Sequence, residues 1–221
     1  MLDFVLFMVS SVMETYAMFY LGFKLFKIDV YPKEMLFAGV IMAFFSYVIR
    51  VNYQWVEADI IIQYGLVFCF YWLLFRIHLF YAAILTGITY QAYTFIQLVY
   101  IFLLNRIGNF SSHTFYGMDI STYVMQILTF GSAIVIGYYI GFKRKGFDFI
   151  PDKPDGVINP SKREIIMFIL NLPTAVIIIS IIHLYNSDYF YIVPLIYGFF
   201  LFCYIYLSYK KDRSGHEYIK L

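Results

Sequence analysis

Apolar residues in this chain fall into long runs separated by short charged or proline-bearing breaks. A membrane-spanning helix needs about 20 mostly apolar residues, and seven runs approach that length: 3–23, 35–50, 59–75, 78–104, 119–142, 164–184 and 188–209. The run at 78–104 is long enough to cross with a tilt. Between the fifth and sixth runs, 143–163 holds three prolines and mixed charge and reads as a loop, and 210–221 reads as a tail. The pattern predicts a single all-α domain, a polytopic membrane helical bundle of about seven transmembrane helices.

Charge tests that count. Loops on the cytoplasmic side carry an excess of Lys and Arg. With seven spans, one side collects Lys24, Lys27 and Lys33, Arg76, six basic residues of 143–163 and four of the tail, or 14 of the 16. Arg50 and Arg106 alone fall on the other side. Losing or splitting a middle span would scramble this bias. It therefore predicts an N-terminus outside, a cytoplasmic C-terminus and a multi-pass protein of a bacterial cytoplasmic membrane. The opening Met-Leu-Asp lacks the basic region of a cleavable signal peptide, so the first run is expected to stay as a helix.

Composition agrees. Hydrophobic residues make up 62% and charged residues 14%, against about 45–50% and about 25% in soluble domains. Membrane lipids are the expected surroundings. The net charge of +2 comes with no basic stripe, so no nucleic-acid partner is expected. Cys69 and Cys203 lie in apolar runs and read as small hydrophobes rather than a disulfide. No metal-ligating spacing occurs, and no cofactor or metal is expected. No nucleophile elbow, phosphate loop or pair of intramembrane acids and bases appears. The chain is expected not to be an enzyme, and no catalytic residue is assigned.

The polar residues inside the runs are the candidate site. Glu14, in "SSVMETYAMFYLGFK", lies near the middle of the first run. A charge there costs about 2.5–3.5 kcal/mol on insertion scales. Neutralising it avoids most of that, so a protonated carboxyl hydrogen-bonded to Gln63, Gln91, Gln97 or Gln126 is expected. Glu14 reads either as a ligand-sensing residue or as a polar clasp between helices. On the fourth run Thr86, Tyr90, Tyr93, Gln97 and Tyr100 share one face, with Gln91 beside it. That face reads as a cavity wall or as interior packing. Trp55, Tyr53, Phe110, Phe115 and Tyr116 form an aromatic outer rim, read as a ligand rim or a plain aromatic belt. The candidate ligand-binding set is Glu14, Gln91, Gln97 and Trp55. Pro173 should kink the sixth helix and act as a hinge, with Asn171 and Thr174 satisfying freed carbonyls. Gly137 and Gly141 form a small-xxx-small pair on the fifth helix. His78 and His183 read as interfacial residues.

The seven-run layout, the segment "METYAMFYLGFKLFKI" and the ending "CYIYLSYKKDRSGHEYIKL" resemble the transmembrane sensor module of bacterial peptide-sensing, quorum-sensing type histidine kinases. The resemblance lies in topology over the whole chain, and residues 1–221 hold no kinase domain. It implies a sensor or receptor-like module for an extracellular or lipid-phase ligand, a peptide in that family. Signal transduction would then run through a cytoplasmic or membrane protein partner, or a homodimer. The alternative is a substrate-binding or stabilising membrane subunit of a transporter. The bulky first helix argues against the first of those two.

Overall fold

The computed structural model describes residues 2–107, 120–150, 160–171 and 192–218. These form seven α-helices: α1 (Leu2–Leu25), α2 (Pro32–Tyr47), α3 (Val56–Cys69), α4 (Leu79–Ile107), α5 (Ile120–Phe142), α6 (Lys162–Ile169) and α7 (Ile192–Tyr218). Six of the helical stretches are long and apolar enough to cross a membrane: Asp3–Leu25, Pro32–Asn52, Val56–Leu74, Leu79–Leu104, Thr122–Phe142 and Ile192–Arg213. The chain is thus an all-α, multi-pass membrane protein. Of the sixth expected span only the first part is described, as α6. Pro173, Thr174 and His183 lie outside the described residues, as do the rim residues Phe110, Phe115 and Tyr116.

Helix ends follow local chemistry. Pro32 opens α2, where its missing N–H costs nothing. Asp3 lies in the first turn of α1 and Lys24 in the last, each facing the favourable end of the helix dipole. Among the described residues, four non-glycine positions have positive φ: Lys27, Gln54, Arg76 and Arg144. Each follows a helix end. Around Lys27 and Arg144 the chain closes with Ile28 N–H on Phe23 O (2.9 Å) and Lys145 N–H on Ile140 O (3.1 Å), the Schellman pattern.

The second and third helices do not stop where their α-turns do. Each continues into a five-residue π-helical turn, Val48–Asn52 and Phe70–Leu74. The first of these turns carries the second span to Asn52, beyond the expected 35–50, while the other ends at Leu74, inside the expected 59–75. The closing bonds widen with them: Trp55 N–H reaches Ile49 O and Ile77 N–H reaches Tyr71 O. π-turns are rare and concentrate at functional sites.

α4 is the most buried of the crossing helices. It packs against α1, α3, α5, α6 and α7, while α1 packs chiefly between α2 and α5. The larger apolar core joins Phe19, Leu21 and Phe23 of α1 to Met35 of α2, Val67 of α3, and Ile84, Leu85 and Ile88 of α4. A smaller one gathers Ile60, Leu98, Ile101, Met125 and Tyr197. Gly137 and Gly141 lie against Tyr20 and Lys24 of α1. The small pair therefore serves packing inside the bundle. Gly87 allows the Asn171 amide and the Tyr204 hydroxyl to approach α4 closely. The outward faces of α5 and α7 keep large apolar side chains exposed, among them Ile127, Val135, Leu195 and Phe199, as lipid contact requires.

Candidate functional site: a polar cavity between helices 1 to 5

A cavity of about 130 Å³ lies among α1 to α5, towards the end of the bundle that carries the N-terminus of α1. Glu14 enters from α1, Met42, Ser46 and Arg50 from α2 and its π-turn, and Gln63 from α3. Tyr90, Tyr93, Thr94 and Gln97 come from α4, and Gln126 from α5. The polar-aromatic stripe read from the fourth run is its wall over Tyr90, Tyr93 and Gln97. The two ends of that stripe do other work. Thr86 donates back to Ala82 O (2.8 Å), and the Tyr100 hydroxyl pairs with Ser132 Oγ (2.6 Å).

The strongest polar feature was not singled out from the sequence. Asp59 is fully buried in the first turn of α3. Its Oδ2 accepts from Arg50 Nε and from the Ser46 hydroxyl (3.1 Å), and its Oδ1 from Gln63 Nε2 (3.3 Å). Gln63 also donates to Met42 O (2.9 Å). The π-turn at 48–52 carries Arg50, and the short link at 53–55 folds α3 back so that Asp59 meets it. Sequence reading placed Arg50 at the edge of a loop and Asp59 at the start of a span, leaving Glu14 as the lone mid-depth charge. Instead both join the neighbourhood of Glu14. A basic and an acidic residue nine apart across a tight helical turn is the signal that identifies such a pair.

Glu14 is half-buried on the cavity wall. Gln126 Nε2 donates to its Oε2 at 3.3 Å, a long bond, so one of the four expected amide partners is present. The Tyr93 hydroxyl also faces Glu14. Its oxygen and Gln126 Oε1 are closed off in side chains more than nine-tenths buried, and neither reaches hydrogen-bond geometry among the described residues.

The four residues expected to bind ligand separate. Glu14 and Gln97 meet in the cavity. Gln91 is fully buried but does not line it, and both its amide atoms are unpaired among the described residues. Trp55 precedes α3 and is 69% exposed, one turn before Asp59, whose N–H bonds Trp55 O (3.1 Å). It stands on the bundle's rim, outside the cavity.

A second polar cluster lies at the opposite end. Glu164 of α6 is almost fully buried. It accepts from the Ser161 backbone N–H (2.6 Å) and hydroxyl (2.7 Å), from Tyr81 of α4 (2.8 Å) and from Lys211 of α7 (3.1 Å). Arg163 donates to Lys210 O (2.6 Å), and Asp212 accepts from Asp148 N–H (3.0 Å). About two turns deeper, Asn171 accepts from Tyr64 (3.0 Å) and Tyr204 (3.3 Å) and donates to Phe168 O (3.2 Å). Asn171 thus bonds a carbonyl of its own preceding turn. Among the described residues no group of three or more metal-ligating side chains occurs. Both cysteines are free.

Comparison of the chain with protein-family models, curated proteins and solved structures returns no match in any of the three. The assignment that these observations carry is that of an all-α, multi-pass membrane protein with a polar cavity at one end of its bundle.

Proposed function

We propose that this protein is a non-enzymatic, sensor-like membrane module that takes a ligand from the outer side or the lipid phase into the α1–α5 cavity. The charge bias of the loops puts the cavity in the outer half of a bacterial cytoplasmic membrane. It puts the Glu164 cluster at the cytoplasmic face. The observation that carries the reading is the cavity itself: about 130 Å³ of space lined by Glu14, by Arg50 of the Arg50–Asp59 pair and by the amide side chains of Gln63, Gln97 and Gln126. A purely structural clasp would close on itself.

α4 connects the two ends. Tyr90, Tyr93 and Gln97 line the cavity, and Tyr81 binds Glu164 beside α7. From residue 81 to 97 the helix rises about 24 Å. A ligand that favours one arrangement of α1, α4 and α5 over another shifts the whole equilibrium, and α7 carries that shift to the tail and a partner. The ligand class of the resembling family is a peptide. A cavity of this size would admit one end or one side chain of it.

The test is native mass spectrometry of the full chain released from its own membranes, beside Ala43→Leu, which fills the cavity wall. A bound non-lipid mass on the native chain, absent from the variant, is the expected result. Only bulk lipid on both would overturn the reading. A stoichiometric transport ATPase carrying the same ligand would replace it with that of a substrate-binding transporter subunit.

A further inference from the structure

We propose that the ends of α1 and α5 form a seat for the headgroup of an anionic phospholipid, at the end of the bundle opposite the cavity. Two stretches of chain are fastened together there. Phe147 N–H bonds Leu25 O (2.7 Å), and Phe26 packs its ring against Phe147 and Phe149. Gly146 lies so close to the carbonyls of Lys24 and Leu25 that a side chain there would clash with backbone. The tight turn that closes α5, with Arg144 at positive φ, is therefore held against the last turn of α1. It brings Lys143, Arg144 and Lys145 to the same edge as Lys24 and Lys27.

Charge at this edge is not balanced by the protein. The stretches 20–31 and 138–150 hold five basic residues and two acids, Asp29 and Asp148. Asp148 faces Lys27 at 3.8 Å. Arg144 and Lys145 are exposed and pair with no acid among the described residues. A shared anion would offset the mutual repulsion of the cluster. The surroundings suit a lipid. Lys24 lays its stem along Gly141 and its ammonium over the Tyr20 ring (5.6 Å), and Lys143 stands over Phe142 (5.8 Å). Tyr138 and Phe142 stack on the outward face of α5, 63% and 70% exposed. Tyrosine favours the level where acyl chains meet headgroups, so a phosphate among these cations would lay its acyl chains along that aromatic face. Phosphate oxygens accept the hydrogen bonds that Lys and Arg can only donate. A zwitterionic headgroup would bring its own cation into the cluster, which selects a lipid with net negative charge.

The test is native mass spectrometry of the full chain in mild detergent, titrated with phosphatidylglycerol and with phosphatidylcholine of the same acyl chains. Phosphatidylglycerol should bind at least about ten-fold more tightly, and added salt should shrink the difference. Each basic group near a membrane surface is worth about five-fold in binding. Lys24→Met keeps the stem on Gly141, and Arg144→Asn tolerates the left-handed backbone. Together they should weaken phosphatidylglycerol about 25-fold and phosphatidylcholine less than about two-fold. Lys162→Gln with Lys210→Gln removes the same charge from α6 and α7 and should move phosphatidylglycerol less than about two-fold. Equal affinity for the two lipids overturns the inference. So does equal weakening by the two double variants, which would mean a diffuse field and no seat. Displacement of the lipid by inorganic phosphate, beyond that by chloride at equal ionic strength, would make this a site for a free anion and overturns it as well. Should the first double variant fail to fold, Lys145→Gln, at an exposed position, should still weaken phosphatidylglycerol about five-fold, and no change there overturns the inference.

Discussion

At the residue scale the molecule is governed by a few buried polar atoms. Asp59 has no exposure, and Arg50 has a quarter of its side chain exposed, so the pair is stabilised far more than a surface pair would be. Removing one partner strands the other. Asp59→Ala is expected to lower stability by about 3 kcal/mol, read as earlier unfolding by denaturant in mild detergent. Arg50→Met with Asp59→Leu should recover most of that loss, because well-packed apolar pairs replace buried ion pairs at little cost. Gly87 makes a different demand. A methyl group there would meet Asn171 and Tyr204, and Gly87→Ala should cost about 1–3 kcal/mol by the same assay.

At the element scale the sequence was legible where one helix face or one whole helix carried the signal. Six of the expected spans are helices, the middle of the stripe on α4 lines the cavity, and the glycine pair of α5 packs on α1. What escaped was the ion pair. Its two residues look like loop-edge charges when each run is measured against a bilayer alone. They turn inward because α2 widens into a π-turn before the link, which hydropathy does not encode. Gln97 and Gln91 illustrate the limit at finer grain: six positions apart on one helix, one reaches the cavity and the other the packed interior. The π-turn is open to a direct test. Deleting Ile49 should restore α-helical closure and swing Arg50 about 100° around the axis. The variant should lose stability by as much as Asp59→Ala, and Asp59→Ala should add nothing further to it.

At the scale of the whole molecule, α4 is the shared wall of two polar clusters at opposite ends. Tyr81→Phe removes one donor from buried Glu164 and should cost about 1.5–3 kcal/mol. It should also speed trypsin cleavage at Lys210, Lys211 and Arg213 several-fold and, because coupling between two ends is reciprocal, change occupancy of the cavity. Unchanged occupancy would show that the two ends are not coupled. The spacing of the polar partners along the chain bears on biogenesis as well. Arg50 and Asp59 are separated by nine positions, Glu14 and Gln126 by 112. During synthesis the first pair can form as soon as the second and third helices leave the ribosome, and it enters the membrane as a neutral unit. Glu14 must enter alone and wait for the fifth helix. Any delay between those two helices leaves a bare acid in the bilayer, which makes the first helix the one whose insertion depends most on the insertion machinery and on the rate of translation.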